Sequence, residues 1–169
     1  MKKTIVIYHS KTGFSQRYAQ WLAEDLNCQA LPYRDRRSVD LAEYDTIILL
    51  GGVYAGNMSG LGWLKKLPLE GKRAAAVAVG CSPTGWTDQA KSMEKLFGGT
   101  PIHGFYCQGG LAYERMGAVD RAMMAALRTA LRSKPEMADM LAGISQSFDG
   151  TKREYLEPVI AWAVQASAP

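Results

Sequence analysis

Cysteine and histidine are both scarce in this chain. Its three cysteines, Cys28, Cys81 and Cys107, are an odd number without zinc-finger spacing, so neither a disulfide framework nor a structural metal site is expected, and a reducing compartment is. Its two histidines, His9 and His103, stand alone beside or within apolar runs, where the structural role is the common one. No stretch approaches the roughly 18–20 consecutive apolar residues that cross a bilayer. Met1-Lys2-Lys3 is followed by only five apolar-leaning residues, Thr4 to Tyr8, too few for a secretory leader, so the expected location is the cytoplasm. No basic run is interleaved with aromatics, which argues against a nucleic-acid partner. The net charge of +4 is scattered apart from short clusters such as Arg34-Asp35-Arg36-Arg37, the pattern of a solvated surface.

Several chemistries fall with missing motifs. Gly51 to Gly56 is followed by Asn57 and lacks the lysine of a P-loop. Gly80-Cys81-Ser82-Pro83-Thr84-Gly85 is one residue too long for a hydrolase elbow. The ends of the apolar runs Thr4–Tyr8 and Thr46–Leu50 carry His9-Ser10 and Gly51-Gly52, where a phosphoacceptor receiver would need carboxylates.

What is present is an ordinary globular composition, 47% hydrophobic and 21% charged in 169 residues, enough for one domain spanning residues 1–169. Four apolar runs, Thr4–Tyr8, Thr46–Leu50, Ala74–Val79 and Ile102–Cys107, lack polar alternation, as strands of a parallel sheet buried on both faces do. Cys28–Tyr33 carries Gln29 and ends at Pro32, which suits an edge strand. Between them Tyr18, Ala19, Leu22, Ala23 and Leu26 recur at helical spacing. Further helices are predicted from about Gly60 to Leu67, Trp86 to Phe97, Gly117 to Leu131 and Arg153 to Ala166. Strands alternating with helices imply a five-stranded parallel sheet in a three-layer α/β/α sandwich, order 2-1-3-4-5, with ligands beyond the carboxyl ends of the strands. The stretch Leu111–Gly150 is long for a connection and holds Met116, Met123, Met124, Met137 and Met140. The reading adopted for it is a helical pair whose thioethers pack against the sheet, and the competing one is a lid.

Three loops carry candidate chemistry. Ser10-Lys11-Thr12-Gly13-Phe14-Ser15 joins the first strand to the first helix, where uncapped N–H groups and the helix dipole favour an anion. Its hydroxyls would add donors, and Gly13 would allow close backbone approach; a plain turn with Ser15 as helix cap explains the same residues without a ligand. Gly51-Gly52-Val53-Tyr54-Ala55-Gly56-Asn57 follows the run Thr46–Leu50 and Gly80-Cys81-Ser82-Pro83-Thr84-Gly85-Trp86 the run Ala74–Val79, so that glycine-rich segments converge on one rim. Cys81 and Cys107 end neighbouring runs; two small buried thiols are the simpler reading and a thiol pair the other.

The residues Ile5-Val6-Ile7-Tyr8-His9-Ser10-Lys11-Thr12-Gly13-Phe14-Ser15 resemble the fingerprint of the flavodoxin family, a Ser/Thr-x-Thr-Gly-x-Thr/Ser loop after a short apolar strand. The resemblance runs nearly the length of the chain, and its nearest look is to flavodoxin-domain proteins of the menaquinone-dependent protoporphyrinogen oxidase type. It implies non-covalent flavin mononucleotide (FMN), with Ser10, Lys11, Thr12, Gly13, Phe14 and Ser15 around the phosphate. It also implies Gly52, Val53, Tyr54, Ala55 and Gly56 along one side of the ring, Tyr54 stacking in preference to Trp63 or Trp86. Cys81, Ser82, Pro83 and Gly85 would then lie at the pyrimidine end and opposite face. Electron transfer or FMN-dependent oxidoreduction is the implied function. The implied partner is a quinone, a porphyrinogen-like reductant or a redox protein, and no catalytic side chain is required. Shuttle flavodoxins are strongly acidic and this chain is net positive, which sets it apart from a simple shuttle. The competing class is a non-catalytic interaction module that keeps the fold without the flavin.

Overall fold

The computed structural model describes residues 3–85 and 88–165. Five parallel strands form the core sheet: β1 (Thr4–His9), β2 (Gln29–Pro32), β3 (Thr46–Tyr54), β4 (Arg73–Gly80) and β5 (Ile102–Gln108). Their order is 2-1-3-4-5, the topology expected from the sequence. In register, Val6 sits between Ala30 and Ile48, and Val77 between Leu50 and Phe105.

Period two assigns the side chains to two layers. Val6, Ile48, Leu50, Ala75, Val77 and Cys107 face α1 (Phe14–Asp25) and α6 (Glu157–Gln165), where Tyr18, Leu22, Leu156 and Val159 complete the packing. Ile5, Ile7, Ile47, Leu49, Ala74, Ala76 and Ala78 face the other layer, built from α2 (Leu61–Leu64) and α3 (Gln89–Phe97). Because the β1 and β3 side chains among these are fully or almost fully removed from solvent, each contributes roughly 1.5–3 kcal/mol of burial before entropy is counted. The small residues of β4 and β5 let α3 approach closely: a β-carbon on Gly104 would lie 2.2 Å from the Phe97 ring.

Two expectations need correction. The run that begins at Thr46 does not stop at Leu50: β3 continues through Gly51-Gly52-Val53-Tyr54 and turns back at Ala55 (φ 48°) and Gly56 (φ 76°) into a short antiparallel strand, Asn57–Met58. Two consecutive positive φ values are what a tight hairpin turn demands. Gly51 reads as a loop residue from sequence, yet it stands in the strand because the returning chain crosses it; a β-carbon there would meet the Ser59 carbonyl at 2.2 Å.

The second correction concerns Leu111–Gly150. Its helices, α4 (Ala118–Arg132) and α5 (Ala138–Ile144), pack on each other rather than as a further layer on the sheet. They stand over the carboxyl rim around a small cluster of Leu111, Leu131 and Ile144, with Met116, Met124 and Met137 against it. A short antiparallel pair, Gly110–Leu111 with Phe148–Asp149, closes the base of this lid. Val119, Met123, Leu127 and Met140 are left exposed. Trp86 and Ala166, named at the ends of predicted helices, lie outside the described residues. Among the described residues no helix is long and apolar enough to cross a membrane.

Tyr18 ties these parts together. Its ring is fully buried, its hydroxyl donates to the Gln108 carbonyl at 2.6 Å, and it accepts from the Lys152 N–H at 3.1 Å. Tyr18→Phe leaves both partners unpaired and is expected to cost about 1–3 kcal/mol in urea unfolding; a change below a few tenths of a kcal/mol would show that water replaces the hydroxyl.

Candidate functional site

The site begins where β1 ends. Ser10 Oγ accepts the Gly13 N–H at 3.0 Å, closing a turn that puts Gly13 at φ 98°, ψ −12° as the residue capping α1. The helix carries no side-chain cap and no acidic residue in its first turn, and its first backbone bond runs from the Arg17 N–H to the Gly13 carbonyl. The N–H groups of Phe14, Ser15 and Gln16 precede that bond, so the partial positive charge of the helix end is left for an acceptor from outside. Ser15 is buried inside the helix rather than capping it, which removes the cap explanation for this residue.

Beside this turn lies a cavity of about 420 Å³, within the roughly 300–1,000 Å³ of small-molecule sites. Ser10, Lys11, Thr12, Phe14 and Ser15 form one end of it; Gly52, Val53, Tyr54 and Ala55 from β3 and its turn form a side, and Cys81 follows β4. The structure therefore brings ten of the sequence-predicted residues to one wall. Gly13 shapes the turn without lining the cavity, and Gly56, Ser82, Pro83 and Gly85 stand away from it. The last three are drawn into a turn of their own, where the Tyr106 hydroxyl donates to the Ser82 carbonyl at 2.8 Å and the Gly85 N–H to Gln89 Oε1 at 2.5 Å. The Tyr54 ring lies over Gly52, 2.8 Å from where a β-carbon would stand. Trp63 instead joins Tyr33 edge-on at 5.6 Å outside the cavity wall, and Trp86 is outside the described residues.

Sequence reasoning missed the opposite wall. Met116, Asp120, Met123, Met124, Leu127, Met140 and Ile144 come from the lid, and thioethers there give an apolar, adaptable surface. The methionine-rich segment was the available signal; helical spacing alone did not say what it faced. Two contacts join lid and loop. Lys11 Nζ lies 3.4 Å from Asp120 and 4.6 Å from the centre of the Tyr54 ring, and Arg115 Nη1 donates to the Thr12 carbonyl at 3.1 Å.

Burial, aided by Asp120, raises the Tyr54 phenol. Burial also raises the Cys81 thiol and pushes Cys107 up to about 12; both are free, and Cys107 contacts the Tyr155 carbonyl at 3.5 Å, which suits inert packing rather than redox pairing. No cluster of metal-ligating side chains occurs among the described residues.

Burial first, then the charges of Lys11 and Arg36, lowers His9 below its usual 6.5. A lowered histidine binds its proton more readily unfolded than folded, so it contributes nothing above pH 6.5 and destabilises the fold as pH falls below that value. The urea midpoint should therefore drop more between pH 7.5 and 5 for the wild type than for His9→Gln; equal drops would show that His9 titrates freely.

The model of the family described as "Flavodoxin domain" matches residues 5–138. A putative flavoprotein from Bacteroides uniformis is 20% identical, with 64% of this chain and 91% of that chain covered at a TM-score of 0.49. Oxidised flavodoxin 2 from Bacillus cereus is 18% identical over 63% of this chain and 84% of its own, TM-score 0.44. A Lactobacillus acidophilus flavoprotein solved in complex with FMN is 13% identical over 64% and 93%, TM-score 0.43. No curated protein matches the chain.

Proposed function

This chain belongs to the flavodoxin-domain family, and we propose that it binds FMN in the rim cavity and passes electrons through it. The observation that carries the reading is the uncapped first turn of α1 behind Gly13, opening on a cavity with an aromatic ring along its side. The residues fit the group. Ser10, Thr12 and Ser15 hydroxyls and the Phe14–Gln16 amides would hold the phosphate, and Tyr54 would lie along the ring.

When bound, FMN would supply the redox chemistry at its ring, and no side chain of the site needs to act as acid or base. The chain's own part is to fix the phosphate, orient the ring and exclude water. Tyr54, neutral and electron-rich, would disfavour negative charge on the neighbouring ring and so lower its potential. The apolar lid favours a small apolar donor or acceptor, quinones and porphyrinogen-like compounds included, over a redox protein docking on a bare ring edge.

Gly13→Val tests the cradle: a β-branched residue is strained at φ 98° and its β-carbon would crowd Arg115 at 3.0 Å. Gly71→Val is the control, equally left-handed at φ 72° with open space around it. In a fluorescence titration, FMN affinity should fall at least tenfold in the first variant and stay within about twofold of wild type in the second, since a lost charge-assisted bond is worth roughly 1.5–3 kcal/mol. Equal affinities in both variants would overturn the cradle, and absence of binding in the wild type would leave the non-catalytic module.

A further inference from the structure

We propose that Arg115, which belongs to the lid and not to the loop, supplies the charge by which this site selects a phosphorylated flavin, and that the same contact fastens the lid. The inference rests on the FMN reading and adds a residue that the loop sequence does not contain. A phosphate monoester carries about −1.5 to −2 at neutral pH. The donors of the cradle itself are neutral amides and hydroxyls, and the cation within the loop, Lys11, is already engaged by Asp120 and the face of Tyr54. Nearby Arg17 is paired with Asp149, and Arg153 with Asp25.

Arg115 forms no ion pair with a carboxylate among the described residues. It reaches back 103 positions to donate to the Thr12 carbonyl, and its Nη1 would stand 3.0 Å from a β-carbon on Gly13. One such bond leaves most of its five donors free. The guanidinium thus braces the peptide that shapes the cradle; it faces the groove it shares with Arg17, Glu114 and Asp149 rather than the cavity itself, and brings a positive charge, only partly offset by Glu114, to within one residue of where an anion would bind.

The rest of the turn Tyr113–Arg115 is locked into the lid. The Tyr113 hydroxyl donates to the Ile144 carbonyl at the end of α5. Arg121 Nε donates to the Tyr113 carbonyl at 2.9 Å, and the Arg128 guanidinium lies 5.0 Å from the Tyr113 ring. A pull on Arg115 therefore reaches both α4 and α5. By reciprocity, an anion that favours the docked position of Arg115 favours the docked lid, and the docked lid favours the anion.

The test titrates FMN and riboflavin, its unphosphorylated counterpart, into wild type, Arg115→Ala and Arg115→Lys at low salt. Wild type should prefer FMN. Arg115→Ala should lose roughly three- to tenfold of FMN affinity, the size of a partly screened charge interaction, with riboflavin affinity falling distinctly less, and Arg115→Lys should recover part of the loss. In parallel, FMN but not riboflavin should slow tryptic cleavage after Arg121 and Arg132 in the wild-type lid, and Arg115→Ala should abolish that difference. Equal weakening of both ligands would make Arg115 a merely structural brace, and unchanged FMN affinity would remove its role; either overturns the inference while the FMN reading stands. Wild-type protein that binds neither flavin overturns both.

Discussion

The turn that Ser10 and Gly13 close between β1 and α1 is the constraint on which the rim depends. A buried parallel strand has to give way to a helix within four residues, and the left-handed glycine does this without a side-chain cap. Two consequences follow from the same geometry. The end of α1 keeps its amides for an outside acceptor, and the helix is aimed so that Tyr18 can reach the end of β5 and the segment leading to α6. Local backbone conformation, core packing and the anion-favouring end of the site therefore share one structural cause.

The lid obeys different energetics. Its buried core is Leu111, Leu131 and Ile144, and its links to the loop are a half-exposed ion pair and one arginine–carbonyl bond. Contacts of that kind are worth at most about 1 kcal/mol each in water, far less than the burial that fixes the strands. A weakly held, methionine-lined cover thus stands over a firm sheet, the least firmly fixed part of the rim beside the most firmly fixed.

Much of this was legible in the sequence because burial on both faces writes itself plainly: Ile5-Val6-Ile7, Ile47-Ile48-Leu49-Leu50 and Ala74–Val79 have no polar alternation to mislead, and they led directly to the strand order. The turn between β1 and α1 was equally legible, since Ser10–Ser15 puts a glycine between a strand end and the start of a helical pattern. What escaped notice depends on contacts distant in sequence. Gly51 and Gly52 look like loop residues until Met58 and Ser59 fold back beside them. Ser82, Pro83 and Gly85 have the composition of a ligand loop, but the Ser82 carbonyl is taken up by Tyr106 and the Gly85 N–H by Gln89. The methionines of α4 and α5 have helical spacing whether they face a sheet or a cavity, and Arg115 announces nothing until the fold sets it against Gly13.

The most direct measurement is the visible absorption spectrum of the purified protein after incubation with excess FMN and removal of whatever is unbound. Flavin retained at one per chain, with its absorption band shifted by the Tyr54 ring, is the predicted result. A protein that is correctly folded by circular dichroism and emerges without flavin absorbance would contradict the central claim.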